Sequence, residues 1–155
     1  MRDNSAFVFQ DPGVLADRDL ELVLVSTYPG DPKQARVPAY RFHMRHVTDG
    51  RKAGRIELRV GNTDHVLMYA GHIGYRVYPE YRGRRYAARS CRLLFALARQ
   101  HGLNALWITC NPDNTPSRRT IERLGGVYVE TVTLPKTHEM YRRGERLKCR
   151  YRVDL

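Results

Sequence analysis

Apolar and polar positions alternate along most of the first half of the chain. From Leu20 to Thr27 the run Leu-Glu-Leu-Val-Leu-Val-Ser-Thr interleaves leucines with Glu21 and two valines, which predicts a largely buried strand. Tyr28-Pro29-Gly30-Asp31-Pro32 breaks it, and the proline-bounded stretch from Asp31 to Pro38 is too short for a long helix. Tyr40 to Val47 sets Tyr40, Phe42 and Met44 against Arg41, His43 and Arg45, the pattern of a half-buried strand. Thr48-Asp49-Gly50-Arg51 is a hairpin turn, and Arg55 to Val60 returns as the second arm with Ile56, Leu58 and Val60 on one face. After Gly61-Asn62-Thr63-Asp64, Val66 to Val77 reads as a third consecutive strand, completing an antiparallel meander.

The period then changes. Ala87, Cys91, Leu94, Phe95 and Ala98 recur at helical steps, widened by Leu93 and Leu97, while Arg89, Arg92 and Arg99 fall on other faces and Gly102 stops the helix. Ala105 to Cys110 is a short buried strand. Thr115 caps a short helix with Pro116 at its first position, and the helix closes at Gly125-Gly126. Val127 to Val132 and Leu147 to Val153 are two final strands. The order predicts an α/β (α+β) domain with a mixed sheet: an antiparallel meander followed by strand, helix, strand, helix, strand. With 155 residues and no linker or repeat, residues 1–155 read as a single domain.

Charge adds to this picture. Of the net +11, residues 1–74 contribute 10 Lys/Arg against 9 Asp/Glu, and residues 75–155 contribute 17 against 7. A basic second half points to an anionic partner. Three widely spaced cysteines (Cys91, Cys110, Cys149) without a C-x-x-C pair favour buried thiols in a reducing compartment, and no metal-ligand spacing is present. No secretory signal is legible at the N-terminus and no apolar run is long enough to cross a bilayer, so the expected location is the cytoplasm.

The basic half begins with the most informative stretch. Val77-Tyr78-Pro79-Glu80-Tyr81 ends a strand, Arg82-Gly83-Arg84-Arg85 forms a loop, and Tyr86-Ala87-Ala88 opens the helix. A strand feeding a helix N-terminus aims unpaired N–H groups and a positive dipole at one point, a seat for phosphate or pyrophosphate. Arginines there add charge-assisted hydrogen bonds.

This stretch resembles the cofactor loop of the GNAT acetyltransferase superfamily, a strand with Val-x-Pro followed by Arg/Gln-x-x-Gly-x-Gly/Ala. Arg85 stands where the family has its middle glycine. Asn114-x-x-Ser117 through Leu124-Gly125-Gly126 is similar to the family's second motif, and the resemblance covers roughly residues 40 to 132. It implies that acetyl-coenzyme A is the acyl donor, with no metal. Val77 would contact the acetyl-pantetheine end through its backbone. Gly83, Arg84, Arg85, Tyr86, Ala87 and Ala88 would cradle the phosphates, and Arg82 would brace the loop. Asn114 and Ser117 would touch the pantetheine arm or the adenosine end. At Arg85 the backbone is expected to avoid a conformation only glycine tolerates, with the side chain clasping the anion.

The resemblance implies an N-acetyltransferase in which an amine acceptor, a small molecule in preference to a protein, attacks directly in a ternary complex. The family's glutamate base and tyrosine acid fall here on Thr109 and Ile121, so proton handling needs other groups. His72 is the first candidate base, although it shares a face with Gly74 and Arg76 rather than with Ile73 and Tyr75. Tyr128 and Tyr75 are candidate proton donors to the thiolate, and an acyl-cysteine route through Cys110 ranks below direct transfer. The stretch from Thr137 to Tyr141 either lines an acceptor pocket or is a surface turn. Two other functions compete. One is an acyl-coenzyme A sensor without turnover. The other is a nucleic-acid-binding module using Arg142, Arg143, Arg146, Lys148, Arg150 and Arg152 with Tyr141 and Tyr151, ranked below the enzyme. An exposed final strand could pair across a homodimer.

Overall fold

The meander folds as its alternation predicts, with one strand more. In the computed structural model, which describes residues 7–155, β1 (Leu15–Asp17), β2 (Leu20–Tyr28), β3 (Ala39–His46), β4 (Lys52–Arg59) and β5 (Ile73–Val77) form an antiparallel sheet in that order. Three residues are too few to show a period, so β1 is silent in the sequence. The remaining elements are α1 (Tyr86–Leu93), α2 (Phe95–Gln100), β6 (Ala105–Cys110), α3 (Thr115–Arg123), β7 (Val127–Thr133), α4 (Glu139–Arg142) and β8 (Leu147–Asp154). The last strands make a second antiparallel sheet in the order β6-β8-β7. The expected mixed α/β architecture therefore stands, with its sheet in two sections. Residues Met1 to Ala6, part of the stretch in which no secretory signal is legible, lie outside the described residues.

The core lies on one face of the first sheet. Tyr40, Phe42, Met44, Ile56 and Leu58 are buried there with Cys91, Leu94, Leu97 and Ala98 of the helices. The opposite face is open to solvent. On β2, Leu20 and Leu22 are inside and Val23 lies on the open face, while Leu24 and Val25, where the register with β3 shifts, are exposed as well. Among the described residues no helix is long and apolar enough to cross a membrane.

Several local expectations are corrected. The third strand is Ile73–Val77 alone, and His65–Ala70 is a wide π-helical segment. It is pinned by Val66 and Leu67 N–H groups on Thr63 and by the Thr109 hydroxyl on the Tyr69 carbonyl (2.7 Å). Gly71 ends it at φ +74, where a Cβ would come within 2.8 Å of the Trp107 carbonyl. The long helix divides at Leu94, whose N–H bonds back to Cys91. The cap of α3 is Asn114, one residue before Thr115, with Oδ1 accepting from the Ser117 N–H (3.2 Å). Residues 139–142 are helical, started by His138, whose Nδ1 accepts from the Met140 N–H.

The final strand is not an edge. β8 lies between β6 and β7 with Tyr151 and Val153 buried, so it has no free side for a second copy. The basic C-terminal pattern is divided: Arg142, Arg143, Arg146 and Arg152 are exposed, whereas Lys148 and Arg150 are turned inward. Lys148 bonds Asn111 and Glu145, and Arg150 bonds Glu130 and the Leu67 carbonyl while its guanidinium lies over Trp107. Tyr151 is fully buried. Lys148, Arg150 and Tyr151 are therefore engaged within the fold.

Candidate active site

The two sheets meet at one place and then part. The His72 N–H donates to the Trp107 carbonyl (2.7 Å), and beyond it no strand pairing joins β5 to β6 among the described residues. The strand that leaves this junction, β5, ends at Val77. A 3-10 turn over Pro79–Tyr81 follows, and then the basic loop enters α1.

Backbone donors gather in that loop. Among the described residues, none of the N–H groups from Gly83 through Ala88 has a hydrogen-bond partner; the first bonded amide of the helix is Arg89 N–H, to the Arg85 carbonyl. No side chain caps α1. Gly83 sits at φ +85 with nothing within 4 Å of a would-be Cβ, so the backbone is open to close approach. Arg85 takes φ +58 and ψ 29, the left-handed conformation that its side chain was expected to exclude. Asparagine-like or glycine residues adopt it more readily, yet it is allowed for any residue at a modest cost. Arg82, Arg84 and Arg85 are exposed, and Arg82 Nε donates to the Val77 carbonyl (3.2 Å), tying the loop to the strand end. These features fit a pyrophosphate: successive N–H groups, a helix dipole and cations on one bend.

A buried arginine underpins the loop. Arg89 was expected on a polar face; it is 8% exposed and donates to Asp17 Oδ2 (2.7 Å), Asp19 Oδ1 (2.7 Å) and the Arg84 carbonyl (3.2 Å). The side chain of Tyr86 is core, with its hydroxyl donating to Asp19 Oδ2 (2.8 Å) beside His46 Nδ1. Hydrogen bonds from Arg89 and Tyr86 hold the Asp19 carboxyl down at about 2. Nothing in the sequence marks Asp17 and Asp19, because the turn that brings them to α1 belongs to the unread strand β1.

On the other side of the gap, the Tyr75 hydroxyl lies 2.7 Å from Ser117 Oγ and bridges β5 to α3. Burial pushes the Tyr75 pKa well above that of a free phenol. Ser117 is thereby tied to β5, and Asn114 caps the same helix through the Ser117 N–H. Arg92 on α1 donates to the Arg123 carbonyl and fastens α3 from below.

His72 is placed differently from a base. It is fully buried, Nδ1 accepts from the Trp107 N–H (2.8 Å), and Nε2 faces the Gly61 carbonyl (3.1 Å) and Asn62 Oδ1 (3.0 Å). Both ring nitrogens are occupied, and burial lowers its pKa to about 4. Tyr128 is on β7, the outer strand of the second sheet, with its hydroxyl on Thr131 Oγ1 of the same strand. Thus β8 separates it from β6, and the geometry does not bring it to the loop.

Two concavities of about 590 and 500 Å³ open on the solvent face of the first sheet, and both are lined by Arg41, Glu57 and Arg59. Glu57 is half-buried, opposite Gly74 in the β4–β5 register, with Arg41 Nε and Arg59 Nε each 3.4 Å from its carboxylate. In the smaller one, the stretch at 137–140 does line a pocket. His138 Nε2 is 3.0 Å from His65 Nδ1. Because His138 Nδ1 accepts from the Met140 N–H, the shared proton sits on His138 Nε2, and the lone pairs joining this pair are already engaged. Glu57 is the carboxylate common to both concavities, and the sequence reading passed over it as one polar position in an alternating strand.

Comparison with known proteins agrees with this geometry. No curated protein matches the chain. Solved structures do. A ribosomal-protein-S5-alanine acetyltransferase from Vibrio fischeri is 19% identical with TM-score 0.60, over 75% of this chain and 61% of that one. The microcin C7 self-immunity acetyltransferase MccE, solved with acetyl-CoA and AMP, is 16% identical with TM-score 0.59, over 76% and 61%. A Vibrio cholerae protein provisionally named a ribosomal-protein-serine acetyltransferase is 15% identical with TM-score 0.65, over 94% and 100%. At these identities the likeness establishes the fold, and the chain spans 61% of the length of the first two. A family model described as the acetyltransferase (GNAT) domain matches residues 15–127, well over half of the chain. The chain belongs to the GNAT acetyltransferase family.

Proposed function

We propose that the protein is an acetyl-coenzyme A-dependent N-acetyltransferase in which an amine acceptor attacks the acetyl thioester directly. One observation carries this reading: six consecutive backbone N–H groups, Gly83 through Ala88, are left without partners on a basic bend at an uncapped helix start. Acetyl-coenzyme A supplies the acetyl thioester. Gly83, Arg84, Arg85, Tyr86, Ala87 and Ala88 bind its pyrophosphate, and Arg82 holds the bend to Val77. Val77, Asn114 and Ser117 flank the gap between β5 and β6 along which the pantetheine arm lies.

Proton handling falls to groups other than His72 and Tyr128. Glu57 has lone pairs free and lines both open concavities, where an acceptor amine can approach it. It takes the amine proton as the bond to the acetyl carbon forms. The Tyr75 hydroxyl keeps its proton at neutral pH and donates a hydrogen bond toward the departing thiolate. Glu57→Gln should therefore lower kcat by about 10²-fold or more while leaving the coenzyme A dissociation constant within about twofold. The three cysteines are free and buried even though Cys110 and Cys149 are cross-strand partners, which supports a reducing compartment, the cytoplasm.

The test of the whole reading is thermal. Acetyl-coenzyme A at about 100 times its dissociation constant should add roughly 2.7 kcal/mol of stability and raise Tm. Gly83→Glu, which forces a side chain onto a positive φ and adds a negative charge at the bend, should abolish the rise. A melting curve that saturating acetyl-coenzyme A leaves unmoved in the wild type would sink the proposal.

A further inference from the structure

The open face of the first sheet carries a charge excess that the neutral balance of residues 1–74 conceals. The register places Arg41, Arg45, Lys52, Arg55, Arg59 and Arg76 on this face, and among the described residues of these strands only Glu21 and Glu57 are carboxylates there. Glu21 pairs with Arg45, and Glu57 lies between Arg41 and Arg59. Lys52, Arg55 and Arg76 are exposed and, among the described residues, have no carboxylate within ion-pair distance. Arg55 and Arg76 are moreover direct cross-strand partners, and His43 continues the same row beyond Arg55. Like charges set opposite one another in a ladder are destabilising unless an anion lies between them.

Shape narrows the ligand. The larger concavity, about 590 Å³, is lined by Lys52 and Arg55 and floored by Gly74, where a Cβ would come within 2.8 Å of the Arg59 guanidinium. That volume lies within the range of small-molecule sites, roughly 300–1,000 Å³. Glu57 is two residues from Arg55 on the same face of β4, so this carboxylate and the unpaired Arg55 stand about 7 Å apart along the strand, with Lys52 farther along it. We propose that this concavity binds a phosphate monoester through Arg55 and Lys52, with Arg76 adding its charge from the strand position opposite Arg55, and that the acceptor is a short amino-phosphate whose amine lies at Glu57. A dianionic phosphoryl group matches cations in excess of one, which a carboxylate would leave unbalanced. The anion site stands on the charge geometry alone; its use by the acceptor rests on the acetyl-transfer reading.

The experiment uses the full chain saturated with coenzyme A, so that the loop at Gly83 is occupied, and titrates inorganic phosphate by calorimetry, with acetate as counter-probe. Phosphate should bind and acetate should bind at least about tenfold more weakly. Arg55→Ala and Lys52→Ala should each weaken phosphate about tenfold while leaving coenzyme A affinity within about twofold. In turnover, O-phosphoethanolamine should show a lower KM than ethanolamine, and Arg55→Ala should erase the difference. Phosphate binding that the two variants leave unchanged, or acetate bound as tightly as phosphate, overturns the site. A single-stranded RNA oligonucleotide that displaces phosphate at submicromolar concentration overturns the small-molecule assignment. No preference for the phosphorylated amine overturns its role in the acceptor. If coenzyme A itself fails to bind while phosphate still does, the cofactor reading falls and the anion site remains.

Discussion

Arg85 shows how a single residue can keep a motif's shape without its glycine. Its backbone is left-handed at φ +58, a conformation that costs an ordinary residue about 1 kcal/mol or more relative to glycine. Arg85→Ala and Arg85→Gly both remove the guanidinium, so the difference between them isolates the backbone. The glycine variant should be the more stable by about 1 kcal/mol in urea denaturation. Equal stability would mean that the loop relaxes out of the left-handed region. His72 offers a second test. The unfolded chain protonates this imidazole near 6.5 and the folded chain near 4, because burial disfavours the charged ring. The unfolded state therefore holds more protons between those values. Its contribution, on the order of 3 kcal/mol, is complete above pH 6.5 and is lost as pH falls toward 4. His43, His65, His101 and His138 are also shifted down and add with the same sign. Unfolding free energies at pH 7.5 and 4.5 should fall apart steeply in the wild type and less steeply in His72→Gln, whose starting stability is lower.

At the scale of elements, the helix that seats the phosphates depends on a hairpin far from it in sequence. Arg89 links α1 to the β1–β2 turn and, through the Arg84 carbonyl, to the loop itself. Arg89→Met keeps the stem and removes the hydrogen bonds, at a cost of about 2–3 kcal/mol. It should also weaken coenzyme A several-fold by freeing the loop, and Arg89→Lys should rescue little, because a single ammonium cannot reach Asp17, Asp19 and Arg84 together. Calorimetric affinity unchanged in a folded Arg89→Met protein would show that the loop holds its shape unaided. This dependence explains what was legible. The strand end, glycine, arginines and helix start are consecutive from Val77 to Ala88, so local pattern sufficed for them. The break at Leu94, the π-helical segment at 65–70 and the cap at Asn114 are settled by hydrogen bonds to partners that periodicity does not see.

For the molecule as a whole, net charge by halves proved a poor map of where charge acts. Lys148 and Arg150 of the basic C-terminal run are folded inward against Glu145, Glu130 and Trp107, whereas the half that sums to +1 supplies five of the six cations of the open sheet face. Several of its acidic residues are elsewhere: Asp17 and Asp19 under α1, Asp31 capping a 3-10 turn, Asp49 in the hairpin with Tyr81. The exposed cations include the loop at 82–85 and this sheet face, on a chain of net +11. Such a field draws a polyanionic donor in from beyond contact distance and is screened over about 10 Å at 0.1 M salt. The association rate of acetyl-coenzyme A, followed by stopped flow, should therefore fall by about tenfold or more between roughly 20 mM and 500 mM sodium chloride. The dissociation rate should change much less, since the contacts at Gly83 to Ala88 are short-range backbone hydrogen bonds. An association rate indifferent to salt would show that the surface arginines are neutralised by one another, and with that the unpaired state of Arg55 and Arg76 would lose its force as well.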